Sequence, residues 1–198
     1  MIIGMIGGVG SGKSAVLEYL KNKYNWHVIL ADDVAKNIIN TDQTVLQNLK
    51  SNFSEAFVDG KLDRSMLANI VFYDDKKLEL LNSITHPATI KAILNEIELY
   101  KRNNVVVESA ILIESGMGQY MDQIWYVYTE LNTRVDRLKR NRGYSKDKTL
   151  SIINNQLSDN ECRKYSKFVI DNSYNLENTY NQIDNILSVI QKEGRLND

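Results

Sequence analysis

Ile2-Ile3-Gly4-Met5-Ile6 runs directly into Gly7-Gly8-Val9-Gly10-Ser11-Gly12-Lys13-Ser14. A short β-prone run, a glycine-rich loop and then Val16, Leu17 and Leu20 on one helical face read as strand, loop, helix. In that setting the pattern G-x-x-x-x-G-K-[ST] is a phosphate loop. Glycines let the main chain turn and bring its N–H groups close to phosphate oxygens, and the helix N-terminus adds its own attraction. Lys13 is suited to reach the β and γ phosphates as a mobile charge, and Ser14 to offer a hydroxyl to magnesium. The bland alternative is a glycine loop that only turns the chain. It requires four glycines, a Lys-Ser pair, a leading strand and a following helix to coincide by accident. The loop implies nucleotide binding and leaves open what happens to the phosphate.

Outward from this stretch, short β-rich runs alternate with helical patterns, which implies a parallel sheet flanked by helices. The expected strands are 2–6, 27–31, 104–107, 124–129 and 168–170, five in all. Leu176, Tyr180, Ile183, Leu187 and Ile190 keep helical spacing through the last element. One connection is far too long for a simple crossover. From 33 to 103 no convincing strand is seen, and the segment is expected to form a helical subdomain. The only proline, Pro87, is expected in a first helical turn with His86 just outside it. The whole chain, 1–198, then reads as one α/β domain with an insertion at about 33–103 and a lid at about 134–158.

Asp32 follows the second expected strand and Glu108 the third, so both should emerge at the loop's edge of the sheet. A carboxylate there can serve the magnesium shell or accept a hydroxyl proton. Either could equally be a helix cap or a solvated loop acid, and Asp32-Asp33 have the form of an N-cap. The lid segment holds Arg134, Arg137, Lys139, Arg140, Arg142, Lys146 and Lys148. Arg137 and Arg140 are three apart and share a helix face, Gly143 breaks that helix and Ser145 can cap the next. Alone, such a run would read as a solvated or RNA-binding face. Beside a phosphate loop it suits a lid whose arginines spread charge on a transferred phosphoryl group.

Composition excludes other classes. With 43% apolar and 25% charged residues the chain can bury an ordinary core. A formal charge of −1 gives no global field toward nucleic acid or membrane. No apolar run approaches the ~18 residues that span a bilayer. Cys162 is the only cysteine, so no internal disulfide can form, and the expected compartment is the cytoplasm. Trp125 belongs in a buried strand, and His27 has no metal-ligand spacing around it.

The ordered set of weaker motifs resembles the dephospho-coenzyme A kinase family over nearly the whole chain. It comprises the loop, Ala31-Asp32, Gly60-Lys61-Leu62-Asp63-Arg64-Ser65-Met66-Leu67 with Val71-Phe72, and Leu81-Asn82-Ser83-Ile84-Thr85-His86-Pro87. Leu112-Ile113-Glu114, the arginines 137 and 140, Gln156 and Ile170-Asp171-Asn172 complete it. The resemblance implies a P-loop kinase that moves the γ-phosphoryl of ATP to the ribose 3′-hydroxyl of dephospho-coenzyme A, with Mg2+. It implies that Gly8, Gly10, Ser11, Gly12, Lys13, Ser14 and Ala15 hold ATP, with Asn172 near the adenine. Asp32 would orient or deprotonate the hydroxyl, Arg137 and Arg140 would stabilise the transition state, and Arg64 and His86 would help hold the acceptor. The chain departs from the family pattern at Ala15, Leu30, Glu108, Ala110 and Ile152. A nucleoside-monophosphate kinase should carry more arginines than the two, Arg64 and Arg102, found between 33 and 103. A nucleotide switch would have no use for Asp32 and an arginine lid, and no guanine-reading N-K-x-D is present.

Overall fold

The apolar run Ile2–Ile6 is the central strand, β1, of a five-stranded parallel sheet, and all but its first residue are buried. The structure is a computed structural model that describes residues 1–194 and 196. After β1 come α1 (Lys13–Tyr24) and β2 (His27–Leu30). Next are α2 (Ala31–Thr41), α3 (Gln43–Asn52), β3 (Phe57–Val58), β4 (Lys61–Leu62), α4 (Arg64–Phe72) and α5 (Asp75–Leu99). The chain returns through β5 (Val105–Glu108), β6 (Gln123–Tyr128), α6 (Leu131–Arg142), α7 (Lys146–Asn154), α8 (Asp159–Tyr165), β7 (Phe168–Asp171) and α9 (Leu176–Lys192). Two compact units result: Leu30–Leu99, and Met1–Ile29 with the described chain from Tyr100 on.

In the sheet unit the strand order is β2-β5-β1-β6-β7. Gly4 sits level with Val107 on one side and Ile124 on the other, and Tyr126 pairs with Val169. Since β5 and β6 leave β1 on opposite sides, the C-terminal end of β1 is the switch point where open α/β sheets bind ligands. The core joins Ile3, Met5, Val16 and Leu20 to Trp125, Ile170, Ile183 and Ile190, so α1 and α9 both bury their apolar stripes on the sheet. Trp125 is fully buried, as its strand context requires. Asn25 ends α1 in the left-handed region (φ 54°), its N–H donating to the Lys21 carbonyl while the Trp26 N–H donates to that of Leu20.

The Leu30–Leu99 unit has its own core of Val45, Leu49, Phe53, Ala56 and Leu67. Three expectations fail here. Residues 57–62 form a two-stranded antiparallel hairpin, where no strand was expected. Its turn is Asp59-Gly60 with φ of 50° and 77°, and Asp-Gly readily supplies two left-handed residues in a row. Pro87 does not start a helix. It lies inside α5, and His86 is helical with it. An interior proline costs about 3 kcal/mol. The helix runs on because Thr85, Thr89, Ile93 and Ile97 form one buried stripe at i, i+4 spacing across the proline. Finally, Ala31 opens α2 rather than ending β2, and neither Asp32 nor Asp33 is the N-cap. Both stand in the first turn, where a carboxylate meets the positive end of the helix dipole. On the strand next to β2, Glu108 is the last residue of β5 rather than the first after it.

Candidate active site

The loop between β1 and α1 is built by side chains that arrive from the far end of the sheet unit. Gly12 caps α1 with φ 84°, and the Asn172 carboxamide nitrogen lies where a Cβ on Gly12 would stand. That nitrogen donates to the Ser11 carbonyl at 2.8 Å, and Thr129 Oγ1 donates to the same carbonyl at 2.9 Å. Asn172 is 1% exposed, and its Oδ1 accepts from Thr179 Oγ1 at 2.8 Å. It therefore braces the loop from beneath. On the other flank the Arg134 guanidinium occupies the place of a Cβ on Gly8. Arg134 Nε donates to Val9 O at 2.9 Å, and Gln156 Oε1 accepts from the Val9 N–H at 3.0 Å.

Lys13 folds back over this frame. Its Nζ donates to Gly7 O at 2.6 Å and lies 3.4 Å from Glu108 Oε1, both side chains being about five-sixths buried. Glu108 thus stands beside the loop lysine, at the sheet edge where β5 and β1 end together. Ser14 is exposed in the first turn of α1, and Ala15 follows it half-buried. Ser11 Oγ is buried without a hydrogen-bond partner, an orphan donor inside the phosphate cradle.

Of the two lid arginines singled out by sequence, Arg137 is half-buried, with Nη2 donating to Asn172 O at 2.9 Å and Nη1 to Thr129 Oγ1 at 3.4 Å. Arg140, one turn on, is exposed. Gly143 turns the chain with φ 65° and Ser145 caps α7 by accepting from the Lys148 N–H. Arg134 and Thr129 were passed over as site residues, and Gln156 was matched without a role. A signal for Arg134 was present: it stands four residues before Leu138, on the same helix face, and these two are the buried residues of α6.

In the helical unit, Asp32 is exposed beside Lys36, whose Nζ donates to Asp33 Oδ1 at 2.7 Å. Arg64 Nη2 donates to Lys36 O at 2.8 Å, so Asp32 and Arg64 gather around one residue. The Asp33 hydrogen bond and charge, with Asp32 adding to them, push the Lys36 ammonium above its usual pKa. His86 is half-buried on α5, and burial holds its pKa below 6.5.

A cavity of about 20 Å³ lies under the loop, lined by Gly7, Gly8, Ala110, Glu114, Gln156 and Cys162. Burial, with Asp159 next in effect, pushes the Cys162 thiol up to about 11, which leaves it protonated and unreactive at neutral pH. Among the described residues no three His, Cys, Asp or Glu side chains cluster as a metal cage. The exposed Ser14 hydroxyl at the loop is compatible with Mg2+, which keeps waters and takes phosphate oxygens plus one or two protein ligands. Among the described residues no helix is long and apolar enough to cross a membrane.

The dephospho-CoA kinase family matches residues 1–178. The dephospho-CoA kinase of Carboxydothermus hydrogenoformans is 35% identical over 196 residues, covering 96% of this chain and 93% of that protein. That of Corynebacterium diphtheriae is 37% identical over 177 residues, covering 87% and 88%. A crystal structure from Thermus thermophilus superposes with a TM-score of 0.83 at 29% identity, covering 96% of this chain and 97% of that one. With the phosphate loop, the five-stranded parallel sheet and these matches together, the chain belongs to the dephospho-CoA kinase family and has a P-loop kinase fold.

Proposed function

We propose that the protein transfers the γ-phosphoryl group of ATP to the ribose 3′-hydroxyl of dephospho-coenzyme A, releasing coenzyme A and ADP in the last step of coenzyme A synthesis. The observation that carries this reading is the family match over 1–178, with Lys13 poised over Gly7 O in an intact phosphate loop. Loop N–H groups and Lys13 take the triphosphate, and the Glu108 carboxylate holds Lys13 in place until the phosphates replace it. Ser14 would hold Mg2+ together with phosphate oxygens and waters, with the Glu108 carboxylate 3.4 Å from the ammonium of the neighbouring Lys13. When bound, that ion neutralises charge on the β and γ phosphates.

Asp32 is the residue proposed to orient the hydroxyl and take its proton. Its exposure leaves it open to a ligand. Arg64 and His86 contribute to acceptor binding in the same helical unit, and Asn172 supports the adenine end of the site through the loop it braces. Arg140 is proposed to meet the transferred group, and Arg137 to hold the root of its helix against the sheet. The near-zero net charge supports a small-molecule substrate rather than a nucleic acid or membrane partner.

The test is purified protein with ATP and Mg2+ against a panel of acceptors, read as ADP release. Release should depend on dephospho-coenzyme A and not be matched by AMP, CMP or UMP. A better rate with a simple nucleotide would overturn the acceptor. Slow release regardless of acceptor would overturn the kinase.

A further inference from the structure

Val9, in the middle of the phosphate loop, has both main-chain groups held by side chains from far along the chain. Its N–H goes to Gln156 Oε1 at 3.0 Å and its carbonyl to Arg134 Nε at 2.9 Å, while Arg134 Nη2 donates to the same Gln156 oxygen at 3.3 Å. The three residues close a ring. Arg134 is 6% exposed, and it donates to the Val9 carbonyl and the Gln156 carboxamide oxygen rather than to a carboxylate. Burying a guanidinium costs several kcal/mol before its bonds are counted. A neutral donor would make the same two bonds more cheaply, so the charge itself has a use there. Its guanidinium lies against Gly8, in a loop built for anions.

The ring also divides the basic segment. Leu138, one turn after Arg134, lies about 3.0 Å from where a Cβ on Gly10 would stand, and Arg137 is bonded to Asn172 O. The first two turns of α6 and the chain just past α7 are thus attached to the loop. Arg140 and Arg142 lie between these attachments and are exposed.

We propose that Arg134 and Gln156 are positioning residues that hold the Val9 peptide of the phosphate loop in its nucleotide-receiving form and tether both ends of the arginine-bearing segment to it. The proposal rests on the reading that this loop takes ATP. Either side chain alone cannot close the ring, so losing one should cost nearly what losing both costs.

The experiment compares the full-length protein with Arg134→Met, Arg134→Lys, Gln156→Ala and the Arg134→Met/Gln156→Ala pair. ATP affinity is measured at equilibrium, and KM for each substrate by ADP release. Each single loss should weaken ATP binding about 10- to 100-fold, the range of one or two charge-assisted hydrogen bonds. KM for dephospho-coenzyme A should stay within about twofold. The double variant should match the worse single one, and Arg134→Lys should recover part of the loss. Wild-type ATP affinity in both single variants, losses that simply add, or equal rises in both KM values would overturn the proposal. If Arg134→Met fails to fold, Gln156→Ala carries the test, since its half-buried side chain lies beyond the end of α7. Failure of the unaltered protein to bind ATP would sink the nucleotide reading and this one together.

Discussion

In the sheet unit, side chains from Thr129, Arg134, Gln156 and Asn172 converge on the main chain at Val9 and Ser11. In the Leu30–Leu99 unit, Asp32 and Arg64 stand exposed in the first turns of α2 and α4, Arg64 bonded to the Lys36 carbonyl and Asp32 acting on the Lys36 ammonium through its charge. The difference is one of preorganisation. A triphosphate is bound by main-chain N–H groups, which must be aimed in advance because glycine-rich backbone loses much entropy on ordering. On the proposed reading a ribose hydroxyl needs one carboxylate in reach, and Asp32, a short exposed side chain in the first turn of α2, would supply it without a cage.

The sharpest way to break the comparison is at Lys13. Lys13→Ala should abolish transfer, with kcat down by about 10³-fold or more, while circular dichroism and melting stay close to wild type. A folded variant with near-normal turnover would remove the loop from the chemistry. Next comes the lid. Arg140→Ala should lower kcat toward the ~10³-fold attributed to arginine charge in phosphoryl transfer, and Arg142→Ala should do less. Equal, small losses would make the segment a solvated face.

Phe53→Ala addresses the helical unit directly. It empties the centre of that unit's own core and should cost about 3–5 kcal/mol. ATP affinity measured below the transition should hold while KM for dephospho-coenzyme A rises. Parallel loss of both would mean the two units do not divide the work. The smallest expected effect is at His86. Burial favours its neutral form, so the unfolded chain binds the proton more readily and stability falls as pH drops below about 6.5 toward the depressed folded value. His86→Gln should flatten that slope in melting curves between pH 7 and 5. An unchanged slope would place the histidine in solvent.

Much of this was legible in the chain, and for identifiable reasons. The strand, loop and helix from Ile2 to Tyr24 obey local rules, since glycine spacing and apolar periodicity act within a few residues. What was missed depended on partners distant in sequence or on competing terms. Arg134 reads as one more basic residue until its bonds to Val9 and Gln156 are seen, across separations of 125 and 22 positions. Pro87 obeys its local preference only when nothing opposes it, and the buried stripe from Thr85 to Ile97 does. The Asp59-Gly60 hairpin was readable in principle. Two-residue strands fall below the length at which alternation shows.

The division of labour turns on whether the carboxylate outside the phosphate cradle does the proton chemistry. Asp32→Asn keeps the side chain's size and one accepting oxygen but removes the basic charge. Steady-state turnover of this variant should show a kcat lowered by orders of magnitude with KM for ATP and for dephospho-coenzyme A nearly unchanged. Wild-type kcat in Asp32→Asn would contradict it and move the search for the base to Glu108, 3.4 Å from the loop lysine.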